Sequence, residues 1–342
     1  MRGILIVLML LPVAAGCRNL VVGTKIVDPI ETRLDMVPVS TSAGNVRPVV
    51  VQPGAPRIAI VDVDGLILNS PFVGPLSVGE NPVALFREKL EAVAADPCVK
   101  AVVLRVNSPG GGVAACISMR HDLERFKQRT GLPVVACLMD TAAGGAYYLA
   151  SAADQVVAGP ATVTGGVGVI LNLFNLRDLM AQFNILPQSI KSGEFTDIGT
   201  SARALTEGEK ALLQAMADEF HKQLIADVKR TRPGVTDNNA FDGRIFTGPQ
   251  AKGMGLVDHI GDLDEAIQLA GSLGCAGLNV RPGVVMYRRN NDPARSVYAV
   301  TANIPLQGAG LLPNLPGLDR SKLPTFLSVW QPELTMEKLG GK

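Results

Sequence analysis

An α/β fold built on a parallel sheet is what this sequence predicts, from three observations. Residues 99–106 and 133–139 are near-continuous apolar runs, the pattern of strands covered on both faces. Helical patterns alternate with them at the spacing of right-handed strand–helix–strand crossovers. Glycines cluster where strands end, at Asn107-Ser108-Pro109-Gly110-Gly111-Gly112, Ala142-Ala143-Gly144-Gly145-Ala146 and Thr164-Gly165-Gly166-Val167-Gly168.

Each element follows in order. The chain opens with Arg2, an apolar run over 4–15 and then Gly16-Cys17. About a dozen helical residues at ~1.5 Å each fall short of a ~30 Å hydrocarbon core, so residues 1–17 read as a secretory signal. The small residues Ala14-Ala15-Gly16 resemble a lipobox and make Cys17 the expected lipid anchor; plain signal-peptidase cleavage is the other reading. An exported, membrane-anchored lipoprotein of a bacterial cell envelope is the localisation this predicts. Residues 18–56 are rich in Pro, Thr, Ser and Val without helical period, and read as a tether.

The main domain is expected over 57–283. Residues 58–64 are β-rich and stop at Gly65, and Asn81-Pro82 starts a helix with Phe86, Leu90 and Val93 on one face. Beyond the strand over 99–106, the pattern predicts a helix over 113–129, the strand over 133–139, and a small-residue helix from Gly144-Gly145 to Ser151. Strands over 155–158 and 167–171 follow, then a long helix over 206–230 opened by Thr206-x-x-Glu209 as a capping box. Shorter helices are predicted over 248–254 and 262–273. Residues 284–342 are Pro/Gly/Leu-rich and read as an arm lying on the core or on a neighbour, ending in Pro324-Thr-Phe-Leu-Ser-Val-Trp-Gln-Pro332. No internal repeat is visible.

Composition excludes several classes. Of 342 residues, 32 are Lys or Arg and 31 Asp or Glu, a net charge of +1, and 47% are hydrophobic. Disorder requires the opposite balance, and nucleic-acid binding requires clustered cations, so no nucleic-acid partner is expected. Aromatics at 4%, with one Trp, leave little to stack bases on. Cys98, Cys116, Cys137 and Cys275 form no CxxC pair and no zinc spacing. Cys116 and Cys137 read as buried reduced thiols, and the sequence assigns no disulfide. His121, His221 and His259 lie in unrelated contexts and read as surface or helix-end residues. No cofactor and no metal are expected.

The glycine turns carry the functional signal. Ligands of open α/β sheets bind beyond the carboxyl ends of strands. Glycine there admits positive φ and brings N–H groups close to a substrate. Two such groups aimed at one spot make an oxyanion hole; tight turns with no further role are the plainer reading. The clusters match neither a dinucleotide fingerprint nor a P-loop, and GxSxG is absent.

The segment Val99-Lys-Ala-Val-Val-Leu-Arg-Val-Asn-Ser-Pro-Gly-Gly111 resembles the oxyanion strand of the signal peptide peptidase (SppA) family of serine peptidases. Asp140-Thr-Ala-Ala-Gly-Gly-Ala-Tyr-Tyr-Leu-Ala-Ser-Ala-Ala-Asp154 is similar to its nucleophile segment. Thr164-Gly-Gly-Val-Gly-Val169, Lys191-Ser-Gly-Glu-Phe-Thr-Asp-Ile198 and Gly243-Arg-Ile-Phe-Thr-Gly248 through Gly255-Leu-Val-Asp258 follow in the family's order. The resemblance covers roughly residues 57–270. It implies a ClpP/crotonase-like stack of ββα units, assembly into rings with sites between subunits, and peptides or signal-peptide remnants as ligands. It assigns Ser108, Gly110, Gly111 and Gly145 to oxyanion and substrate contacts.

The sequence departs from the family where its Ser–Lys dyad should stand. The nucleophile's position is Gly144, the base's position is Thr196, and Gly166 replaces a usual Ser. A Thr hydroxyl does not titrate near neutral pH and cannot stand in for a lowered-pKa Lys. Of possible substitutes, Ser151 lies about 10 Å along a helix from Gly144, Ser108 sits in the oxyanion strand, Thr141 precedes the turn, and Lys191 accompanies the base position without replacing it. The reading is a non-hydrolytic peptide-binding or scaffolding member, assembling with itself or with an active relative. The alternatives are an active signal-peptide or membrane-protein peptidase with a substitute nucleophile, or an acyl-CoA enzyme on the shared crotonase fold.

Overall fold

Strands buried on both faces organise the structure, a computed structural model that describes residues 20–26, 32–38, 46–70, 80–276, 282–289, 296–299 and 326–330. The chain divides into two units, residues 1–44 and 45–342. In the first, β1 (Leu20–Ile26) and β2 (Thr32–Pro38) pair antiparallel, with Leu20 opposite Pro38 and Ile26 opposite Thr32. The stretch expected as a tether over 18–56 thus holds regular strands, formed from the β-branched residues that composition alone assigned to a linker.

The second unit runs β3 (Arg47–Gln52), β4 (Arg57–Asp64), α1 (Pro82–Ala95), β5 (Val99–Ser108), β6 (Gly110–Gly112), α2 (Val113–Thr130), β7 (Val134–Ala143) and α3 (Gly145–Ala150). It continues with β8 (Gln155–Ala158), β9 (Val163–Gly165), α4 (Arg177–Gln182), α5 (Glu207–Thr231), a 3-10 turn over Asn238–Phe241, β10 (Ile245–Thr247) and α6 (Gly248–Gly253). Last come β11 (His259–Ile260), α7 (Leu263–Gly274), β12 (Gly283–Arg288) and β13 (Leu327–Val329).

The main sheet has the order β10-β9-β7-β5-β4-β12-β3, with β8 and β11 branching from β7. Strands β12, β4, β5 and β7 are mutually parallel, while β3 and β10 pair antiparallel at the edges. The α/β class predicted from the alternation is the class observed. Side chains alternate along each strand. Ala59, Val61, Val102, Leu104, Ala136 and Leu138 face α1 and α2 through Phe86, Leu90, Met119, Leu123 and Phe126. Ile58, Ile60, Ala101, Val103 and Val135 face α7 through Leu263, Ala266, Ile267 and Ala270. Burial on both faces is why these strands read as continuous apolar runs.

Two boundaries and one strand differ from expectation. Arg47–Gln52 and Gly283–Arg288 pair with each other, and the latter also pairs parallel with β4, so the sheet reaches outside 57–283 in both directions. Strand β12 is buried at all six residues, and its Pro282-Gly283 start disguised it as arm. No strand forms over 167–171. Gly165 (φ 88°) and Gly166 (φ 64°) turn the chain off the sheet after β9, leaving only a bridge from Ile170 to Leu327. Cys98, Cys116, Cys137 and Cys275 are free thiols, all buried except Cys98.

Candidate active site

The three glycine turns converge at the carboxyl end of the sheet. At the end of β5, the buried Ser108 Oγ accepts a hydrogen bond from the Gly110 N–H at 3.1 Å, fixing the turn in which Gly110 takes φ 103°. Strand β6 is held on one edge by Ile67, whose N–H donates to Gly110 O (2.9 Å) and whose carbonyl accepts from Gly112 N–H (2.8 Å). Gly144 follows β7 at φ 56°, and its N–H donates to Gly165 O at 2.8 Å. A Cβ on Gly110 would lie 2.8 Å from Gly145 N, and one on Gly166 would lie 3.3 Å from Gly144 N. Gly110, Gly111, Gly144, Gly145 and Gly166 therefore form one patch of bare backbone.

A strand of the chain's own arm lies on this patch. Strand β13 pairs antiparallel with β6, with Leu327 opposite Gly112, Ser328 opposite Gly111 and Val329 opposite Gly110. Its other edge meets Ile170, whose N–H donates to Leu327 O (2.8 Å) and whose carbonyl accepts from Leu327 N–H (2.9 Å). The Ser328 carbonyl enters the glycine cluster: a Cβ on Gly110 would collide with its oxygen, one on Gly144 would lie 2.6 Å from it, and one on Gly145 3.1 Å. Sequence reasoning expected the arm on the core or on a neighbour without saying where it docks. The signal was present in Phe326-Leu327-Ser328-Val329-Trp330, a β-forming run between prolines.

Thr196 is not part of this patch. It lies exposed on a turn, with its backbone N–H donating to Gly193 O (3.3 Å), and among the described residues no hydrogen bond joins that turn to the glycines. Lys191 is tied to Asp197 (2.7 Å), which also binds Arg203, and these two cations hold the Asp197 carboxyl well below its ordinary range. The hydroxyls of Ser108 and Ser151 are engaged within the fold. Ser151, fully buried, donates to Tyr148 O (2.8 Å) and accepts from Arg120 (2.7 Å). The Thr141 N–H is bound to Asn107 (3.2 Å) in the β7 register opposite Val163. The Cys116 thiol sits directly behind Gly145, where burial pushes its pKa up to about 12, so it is protonated at neutral pH.

Chemically, the patch can hold an extended main chain and surround one carbonyl with backbone. Among the described residues no group of three or more His, Cys, Asp or Glu could hold a metal ion. No helix among them is long and apolar enough to cross a membrane. Residues 1–17, with the expected anchor Cys17, lie outside the described residues.

Comparison with known proteins adds the relatives. The model of peptidase family S49 matches residues 126–274. Protease 4 of Salmonella typhi is 32% identical over 219 residues, 63% of this chain and 34% of that protein. The chloroplastic serine protease SPPA of Arabidopsis thaliana is 30% identical over 271 residues, 78% of this chain and 39% of that protein. A protease candidate of Synechocystis sp., slr0021, is 34% identical over 203 residues, 59% of this chain and 71% of that protein. The chain thus spans little more than a third of the first two relatives. A solved structure of the 1510-N membrane-bound stomatin-specific protease, in mutant form, covers 62% of this chain and 84% of that one at 13% identity, with a TM-score of 0.38.

Proposed function

This chain belongs to peptidase family S49, and from that premise we propose that it is a non-hydrolytic member that binds extended peptides in the groove at the carboxyl end of its sheet. The observation that carries the reading is Gly144: where a nucleophile is needed there is no side chain, and the Ser328 carbonyl occupies the space one would take. At position 196 itself a Thr hydroxyl stands in place of the amine, and the nearby Lys191 is paired with Asp197 at 2.7 Å. The substitute-nucleophile reading is disfavoured by the engagement of Ser108 and Ser151, each buried and hydrogen-bonded within the fold.

Peptides would be held by strand addition, main chain to main chain. Self-assembly or assembly with an active relative is supported by the exposed apolar side chains Phe174, Phe183, Ile185, Leu186 and Ile190, a run too apolar for a free surface. Attachment to an envelope membrane through Cys17 rests on the lipobox-like end of residues 1–17.

The test uses the purified full chain, a fluorophosphonate probe, unstructured peptides and anisotropy of a labelled peptide. Binding with neither labelling nor cleavage is expected. Steady cleavage, or an acyl adduct on any residue of the groove, overturns the reading.

A further inference from the structure

Building on the peptide-binding reading above, we propose that the groove selects peptides with alanine at the residue whose carbonyl enters the glycine cluster, and that residues 326–330 are the resident competitor such a peptide must displace. The arm reports what the groove accepts. Its main chain is bonded on both edges: Val113 N–H donates to Phe326 O (3.1 Å), Trp330 N–H donates to Pro109 O (2.9 Å), and Leu327 exchanges two bonds with Ile170. Such a ladder binds any sequence equally, so selectivity falls to the alternate side chains that point into the protein.

At the central position that side chain is Ser328. It is 0% exposed, and its Oγ is buried with no hydrogen-bond partner. A hydroxyl buried without a partner carries a desolvation cost that alanine, which lacks the oxygen, does not. Because the fold encloses this side chain completely, the space suits alanine better than the residue it holds, and a branched side chain would have to push its walls apart. One residue before Leu327, Phe326 packs edge-on against Phe220, with ring centroids 5.1 Å apart and an interplanar angle of 73°, which favours an aromatic there.

Gly144 completes the selectivity. A Cβ at 144 would lie 2.6 Å from Ser328 O and 3.0 Å from Val329 Cα, both backbone atoms that cannot swing aside. The missing side chain lets a strand seat this deeply, so Gly144 acts as a specificity-determining residue for a bound ligand.

Trp330 is the only tryptophan of the chain, so its emission reports the arm. Tryptophan-free peptides Phe-Leu-Ala-Val-Phe, Phe-Leu-Ser-Val-Phe and Phe-Leu-Leu-Val-Phe are titrated into the full chain while Trp330 emission is recorded. The alanine peptide should red-shift it at a concentration about tenfold below the serine peptide, and the leucine peptide should leave it unchanged. In Ser328→Asp, whose carboxylate cannot be buried there, emission should start red-shifted, and a fluorescein-labelled alanine peptide should bind more tightly than to the parent. Equal potency of the leucine peptide overturns the alanine selectivity and leaves peptide binding standing. Peptide binding without any change at Trp330 overturns the arm's role as competitor. Failure of every peptide to bind both the parent and Ser328→Asp overturns the peptide-binding reading, and this proposal with it.

Discussion

At position 144 the lack of a side chain lets the Ser328 carbonyl approach to where a Cβ would lie 2.6 Å from it. Gly144→Ser alone should expel the arm, because its Cβ would overlap Ser328 O, and should leave peptide hydrolysis at background. Gly144→Ser combined with Thr196→Lys should raise hydrolysis above background in a fluorogenic peptide assay. Turnover from Gly144→Ser alone would show that residue 196 is not the missing base. A different residue effect concerns Asp64, where burial, partly opposed by Arg105 at 3.3 Å, raises the pKa from 3.8 to about 6. The folded state then holds its proton more tightly than the unfolded state. This group's contribution is greatest below its unfolded value and declines as pH rises toward about 6. Asp64→Asn should remove that slope, gaining up to about 3 kcal/mol on the parent between about pH 4 and pH 7 in urea unfolding.

Elements with local signals were legible and those with distant partners were not. Thr206 caps α5 and Asp262 caps α7, each with a Glu three residues on that closes a capping box, and short spacing announces such motifs directly. Asp262→Ala should cost about 1 kcal/mol in chemical denaturation, the usual loss for an N-cap. Strand β12 has a short β-forming run, Val284-Val285-Met286-Tyr287, masked by Pro282-Gly283 before it, and its place in the sheet is set by β4 and β3 on either side. Residues 167–171 show the reverse: their apolar run suggests a strand, but two glycines at positive φ carry it away from the partners it would need. The capping of α3 was less readable, since Gly144 offers no side chain to do it.

Across the whole molecule, Arg120 joins three helices that the sequence places far apart. Fully buried on α2, it binds Ser151 (2.7 Å) and the Tyr148 carbonyl beside α3, then Asp227 O (3.0 Å) and Thr231 Oγ1 (3.1 Å) on α5. Its guanidinium also lies 4.7 Å from the centre of the Tyr148 ring. Arg120→Met should cost about 3 kcal/mol or more, since the acceptors it leaves behind stay buried; thermal unfolding measures this. At the surface, Leu186→Glu with Ile190→Asp should lower the mass seen by light scattering if the exposed apolar run is an assembly contact.

By itself the sequence determined the α/β class, the helices that carry caps and the family likeness, because these depend on residue type and short spacing. Only the tertiary structure decided that β3 and β12 extend the sheet, that Ser108 and Ser151 are engaged within the fold, and that the arm lies across the glycines. Those outcomes rest on pairings between segments far apart in the chain, such as Arg47 with Arg288 and Gly111 with Ser328, fixed by mutual burial and main-chain pairing.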